Sequence, residues 1–186
     1  MAVTFTTSGT ASAGGVQQSY ALVHASLVEG QLSDIRDNTI GTYVNETAVT
    51  LPFGDVQVFN SAGTVANSAK TLSASGDTVV GVNVLTYVDE TALNGDSRPG
   101  VKVQQVMNVA NEGAVAVYVT GAVTPASVVR VLYVASGTGK IGQFSHAFAS
   151  GKTVRLSNAR YLTSITGSGL AVLELNGPSF TLSADS

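Results

Sequence analysis

The chain has 186 residues, no cysteine and a formal net charge of -3, with 11% of its residues charged. That length fits one domain with or without an extended arm, and the lack of cysteine excludes disulfides and thiolate metal sites, as suits a reducing cytoplasm. No basic block provides the electrostatic footprint of a nucleic-acid binder. No apolar run approaches the roughly 20 residues that span a bilayer, so neither nucleic acid nor membrane is an expected partner.

So few charges are unusual for a free-standing domain. A neutral, hydroxyl-rich β-surface would account for them; a surface largely covered by partner proteins accounts for them better. Residues 1–28 contain no Asp, Glu, Lys or Arg, and the first charge is Glu29. Up to Gln18 the segment is mostly Thr, Ser, Gly and Ala, with Val3 and Phe5 as apolar anchors ahead of Val16 and Tyr20. It cannot build a core of its own and has little helical drive. No basic stretch followed by an apolar one marks a secretory signal. Residues 1–28 are therefore read as an extended arm, with Val3, Phe5, Val16 and Tyr20 as its docking side chains. From Tyr20 to Asp37 the pattern leaves two choices: alternation of Tyr20, Leu22 and His24 suits a strand, and Val23, Leu27 and Leu32 suit a short helix.

Beyond this point the period is two. Residues 39–51 alternate and end at Pro52; 55–59 follow the turn Pro52-Phe53-Gly54; 79–88 form the next strand. Residues 101–109 and 114–120 read as a hairpin across Ala110-Asn111-Glu112-Gly113, with Val115, Val117 and Val119 sharing one face. Strands at 128–134, 153–157 and 169–176 follow, and valine is the commonest residue, as packing on a pleated surface favours. Short strands at near-regular spacing predict an all-β fold: a single antiparallel β-barrel or jelly-roll-like sandwich with an N-terminal arm. The expected organisation is an arm at 1–28, the β-domain at 29–178 and a tail at 179–186.

Chemistry is hard to find. Ser145 adjoins His146, but neighbours on a strand face opposite ways and no nucleophile elbow is present; the second histidine, His24, has no evident partner. Asp89, Glu90 and Asp96 lack the ligand spacing of a calcium loop. Asp34 and Asp37 flank Arg36 as a local ion pair or turn cap. The stretch 136–142, Ser-Gly-Thr-Gly-Lys-Ile-Gly, departs from the phosphate-loop pattern after Lys140 and is flanked by strands rather than a helix. Asn45-Glu46-Thr47 is a formal glycosylation acceptor in a chain without a secretion signal. Neither a catalytic residue, a metal nor a cofactor is expected, and the chain is read as non-enzymatic.

Three stretches, 30–58, 101–131 and 158–178, carry in order a Gly-rich entry with Pro52-Phe53-Gly54, a hairpin and turn around Gly113, and the strand Gly-Leu-Ala-Val-Leu-Glu-Leu at 169–175. Together they resemble the cement, or decoration, proteins of tailed-bacteriophage capsids. The resemblance implies a β-domain on the outer surface of the virion, made in the host cytoplasm, oligomerising with itself and bridging copies of the major capsid protein to stabilise the head. It matches Phe53 and Gly54 to the family's turn and Leu170, Val172 and Leu173 to its final strand, all as scaffold positions. A tail or baseplate structural subunit and a carbohydrate-binding or adhesin module are the alternatives.

Overall fold

The computed structural model describes residues 27–34, 38–86, 93, 95 and 97–184. Its framework is all-β, and no helix occurs among the described residues. The first seven strands are β1 (Thr39–Asn45), β2 (Leu51–Pro52), β3 (Val56–Phe59), β4 (Ser68–Thr71), β5 (Val79–Asn83), β6 (Gly100–Val101) and β7 (Val106–Val119). Five of them close a ring. β1 pairs with β4 in parallel, β4 with β3, β3 with β5, β5 with β7, and β7 returns to β1, the last four antiparallel. This is a small closed barrel, and closure removes the free sheet edges that an open arrangement would expose. Among the predicted alternatives the closed barrel is present, although not wholly antiparallel.

The expected hairpin at 101–120 does not form. Residues 106–119 run on as one strand of fourteen residues, and Val101 belongs instead to β6. The reason is that each half of the run has a better partner than the other half. The first half lies along β1 from Val44↔Val106 to Thr39↔Glu112. The second lies along β12 (Gly169–Asn176) through eight residue pairs, Gly169↔Val119 to Asn176↔Glu112. The four turn-like residues become the switch between the two. The register along β1 skips Asn111, a β-bulge that bends the strand. Gly113 follows with φ +119°, and a Cβ there would stand 1.8 Å from Asn38 Oδ1. Only glycine tolerates both the backbone and the space.

Beyond the switch lie β8 (Arg130–Leu132), β9 (Phe144–Ser145), β10 (Thr153–Leu156), β11 (Ala159–Tyr161), β12 and β13 (Leu182–Ala184). β9 pairs in parallel with the end of β7, then β8, β10 and β13 follow in order, while β11 pairs with the other edge of β12. Phe180 is buried and Leu182–Ala184 pair with β10, so the chain after residue 178 is packed on the domain. The strand at 169–176 is therefore not the last one. Residues 30–33 run beside β7 as well: Gly30 N–H donates to Ala116 O at 2.8 Å, and Leu32 bridges Val115.

Two cores result. The larger joins Val56, Val58 and Val82 to Val115, Val117, Val119, Phe144, Tyr161 and Leu173. The smaller, around the barrel interior, comprises Leu51, Phe53, Ala69, Val101, Met107 and Val109. Val115, Val117 and Val119 are all fully buried, as their alternation predicts, but so are Ala114 and Ala116. Both faces of the second half of β7 are therefore covered.

Three buried amides line the barrel's inward positions: Asn45, Gln57 and Asn83. Each holds main chain of the 49–55 segment. Asn45 Nδ2 donates to Val49 O and Val101 O, both at 2.9 Å; Asn83 Nδ2 donates to Leu51 O and Pro52 O, both at 3.0 Å; Gln57 Nε2 donates to Asp55 O at 3.4 Å. The β2–β6 ribbon is thereby fixed to the barrel, and Phe53 fills the small core at its turn. Gly54 takes φ +76° there, which makes the turn possible.

Replacing Gly113 with alanine should destabilise the domain by roughly 2–4 kcal/mol, since strain at positive φ adds to the clash with Asn38. Urea unfolding would measure it, and a loss below about 0.5 kcal/mol would refute this account of the switch.

Candidate functional site

The predicted chemical groups are dispersed. Ser145 Oγ donates to Ala147 O at 2.8 Å and accepts from Ala147 N–H at 3.3 Å, while His146 Nδ1 lies 3.2 Å from Thr120 Oγ1. Serine and histidine do not meet. Ser136 and Gly139 exchange main-chain hydrogen bonds in a tight turn between β8 and β9, so the glycine-rich stretch serves as a connection. His24, Arg36, Asp37, Asp89, Glu90 and Asp96 lie outside the described residues. Among the described residues no group of three or more His, Cys, Asp or Glu side chains is placed to hold a metal ion, and no helix is long and apolar enough to cross a membrane. A cavity of about 380 Å³ beside Gly113 is lined by Asp34, Asn38, Glu112 and Glu174. Glu112 accepts there from Thr39 Oγ1 at 2.9 Å, and Glu174 pairs with Arg160.

What the structure brings together instead are two constructions that fix loops. The first is an ion network. Arg98 binds Asp55 through two parallel bonds, Nη1 to Oδ2 at 2.7 Å and Nη2 to Oδ1 at 2.6 Å, and reaches Glu29 Oε2 from Nη2 at 3.1 Å. Asp55 is 1% exposed. Burial pulls the Arg98 pKa down, but the hydrogen bonds and charges of Asp55 and Glu29 outweigh it and hold the guanidinium more firmly charged than usual. This network ties the root of the N-terminal segment, the start of β3 and the loop ahead of β6 into one body. The sequence gives a faint signal of it: Asp55 is an acid between a tight turn and an apolar strand.

The second construction surrounds Asn45-Glu46-Thr47. The Asn45 side chain is fully buried, which removes it as a glycosylation acceptor in the folded domain. Besides its two donated bonds, its Oδ1 accepts from Thr47 N–H at 3.0 Å and Thr47 Oγ1 at 2.6 Å. Its main chain is held too, N–H donating to Gln105 O at 2.9 Å and C=O accepting from Gln104 N–H at 2.6 Å. Glu46 accepts from Thr64 Oγ1 and from Val65 N–H at 3.1 Å. Those bonds, with a smaller contribution from Ser68, pull its pKa down to about 2. Three loops are stitched to three consecutive residues. Asx-type patterns such as Asn-x-Thr are the local signal that points to such a turn.

Of the other singled-out positions, Pro52, Phe53 and Val172 are buried, and Leu170 is half-buried on β12. Val3, Phe5, Val16 and Tyr20 lie outside the described residues.

The described residues form a closed all-β domain, a fold class whose polar side chains serve here to fix loops. Comparison with known proteins gives that class a family. The model of the family described as structural cement protein (E217 gp24/Pam3 gp6) matches residues 16–176, and the chain belongs to that family: its role is structural, in a phage capsid. The match begins inside the segment read as an arm, so Val16 and Tyr20 fall within it while Val3 and Phe5 precede it. A chain of the solved structure "The capsid of Myoviridae Phage XM1" shares the fold, with a TM-score of 0.61 and 15% sequence identity over 87% of this chain and 98% of that one. No curated protein matches the chain.

Replacing Arg98 with methionine should cost about 3–5 kcal/mol, because the buried Asp55 carboxylate would lose the guanidinium that it pairs with. Adding Asp55→Asn should recover most of that loss in chemical denaturation; a single variant within about 1 kcal/mol of wild type would show that the network contributes little. For Glu46, the folded-state pKa lies below the unfolded value of 4.5. Its contribution is therefore fully present above pH 4.5 and is lost as pH falls towards 2. A carboxyl-carbon NMR titration should place the Glu46 midpoint near 2, and a midpoint near 4.5 would show that Thr64 and Val65 do not hold it.

Proposed function

We propose that the protein binds the outer surface of a phage capsid, bridges neighbouring copies of the major capsid protein and stabilises the head by contact, without catalysing a reaction. The observation that carries this reading is the family match across residues 16–176, which takes in nearly the whole described domain. Composition supports it, since a chain with only 11% charged residues has little charge hydration to lose when another protein covers it. Affinity arises from many weak contacts repeated by symmetry, the protein associating with its own copies as well as with the shell.

Within this reading the first 28 residues are a docking arm. Fully extended they would span up to about 90–100 Å, well beyond a domain of this size. Val3, Phe5, Val16 and Tyr20 fill pockets on a neighbour. Ordering such a segment costs on the order of 1–2 kcal/mol per residue, so its contacts must be extensive.

Deleting residues 2–19 should leave a folded domain with a nearly unchanged Tm but much weaker attachment to shells stripped of the native protein. Quantitative gel analysis of re-decorated shells measures the attachment. Full-length protein that fails to bind the shells would overturn the cement function. A truncated protein that binds as well as full-length would overturn the arm alone, and one that fails to fold would place the arm in its own domain's core.

A further inference from the structure

We propose that the barrel end at Asn45 is the seat for the N-terminal arm of a second copy of this chain. The inference rests on the cement reading and supplies its self-association with a receptor. Four valines stand exposed around this end: Val49 (58% exposed), Val65 (43%), Val103 (41%) and Val106 (56%). Their positions follow from the bonds at Asn45. Val49 offers its carbonyl to the Asn45 side chain; Val103 lies between Val101 and Gln104, both bonded to Asn45; Val106 follows Gln105, which accepts the Asn45 N–H; Val65 donates to Glu46.

Exposed apolar side chains on loose loops would carry little meaning. These are held by a fully buried amide that uses every one of its donors and acceptors, in loops whose main chain is pinned as well. Gln104 even adopts φ +62°, uncommon for a residue with a side chain, to make its bond to Asn45. A rigid surface pays little ordering entropy when it binds, which is what a docking surface needs.

The chemistry of the occupant follows from charge. In the loops 45–50, 60–68 and 101–106 the charged residues are Glu46 and Lys102, and the Glu46 carboxylate is already held by Thr64 and Val65. A charged partner would lose hydration here with little to replace it. An uncharged segment with spaced apolar side chains fits. Residues 1–28 are such a segment: no charge before Glu29, and Val3, Phe5, Val16 and Tyr20 at intervals.

Where the arm begins is also fixed. Glu29 is clamped by Arg98, Gly30 bonds to Ala116, and Leu85 N–H donates to Gly30 O at 2.9 Å. From Leu27 back to Phe5 an extended chain covers about 75 Å, whereas a domain of this length is only about 40 Å across. Phe5 and Val3 of an extended arm thus reach beyond the domain that carries them, whereas Val16 and Tyr20 lie within about 40 Å of Leu27. A second copy is the occupant because each copy carries one arm and one seat, so a ring of copies fills every seat.

The absence of cysteine makes the test direct. Phe5→Cys and Val49→Cys would be made in separate preparations, mixed, and oxidised both in concentrated solution and on re-decorated shells. A disulfide-linked heterodimer on non-reducing gels is expected, at several times the yield given by Phe5→Cys with the exposed control Phe148→Cys. In a second measurement, Val49→Ser with Val103→Ser should keep the wild-type Tm and weaken self-association at least about tenfold in sedimentation. A cross-link no stronger than the control in both settings overturns the inference, as does a Phe5→Cys/Val49→Cys double variant that closes within one chain. So does undiminished self-association of the serine variant. Wild-type protein that leaves stripped shells bare is a different failure, that of the cement reading, and it does not alter the solution cross-link.

Discussion

Strand β7 is the one element on which both halves of the molecule depend. Its first half closes the barrel against β1 and β5, and its second half carries β12 on one edge and residues 30–33 and β9 on the other. One strand can join the barrel to the rest of the same sheet only if it changes direction without ending. The bulge at Asn111 turns it, and the missing side chain at Gly113 lets Asn38 pass within van der Waals reach of the backbone. A hairpin at that point would break the sheet between the barrel and β12.

The barrel interior solves a different problem. Five strands enclose little volume, and some of it is filled by amides rather than by hydrocarbon. Asn45 is fully satisfied, but Gln57 Oε1 and Asn83 Oδ1 accept no hydrogen bond from the protein, which costs roughly 1–3 kcal/mol for each. What the amides provide in exchange is position: five main-chain carbonyls between Val49 and Val101 are held from inside the barrel. Stability is traded for a fixed ribbon and a fixed barrel end.

Charge is used in the same economical way. Arg98, Asp55 and Glu29 form one network, Lys70 lies 3.7 Å from Asp77, Arg160 pairs with Glu174, and Glu46 is bound by its neighbouring loop. Charges that would otherwise hydrate the surface hold loops in place. Several valines stay exposed on the remaining surface, among them Val49, Val65, Val103 and Val106. On the proposed cement reading this composition suits the role, because a protein that binds through many repeated neutral contacts avoids the desolvation that charged ones incur.

The sequence by itself determined the all-β class, strands within the stretches read at 39–51, 55–59, 153–157 and 169–176, and the burial of Val115, Val117 and Val119, although the first of these strands ends at Asn45 rather than at residue 51. These depend on local alternation and β-branched side chains, which a chain carries whatever its topology. The resemblance was legible in the order of three stretches. Only the tertiary structure decided that Ala110-Asn111-Glu112-Gly113 is a bulge and not a turn. Locally the two are alike, and the choice is made by β1 and β12, which lie far from it in sequence. The same holds for Arg98 with Asp55, 43 residues apart, and for the barrel end, whose valines look like ordinary strand residues until Asn45 gathers their loops. Pairing at long range is set by register and closure, and neither is written in any single segment.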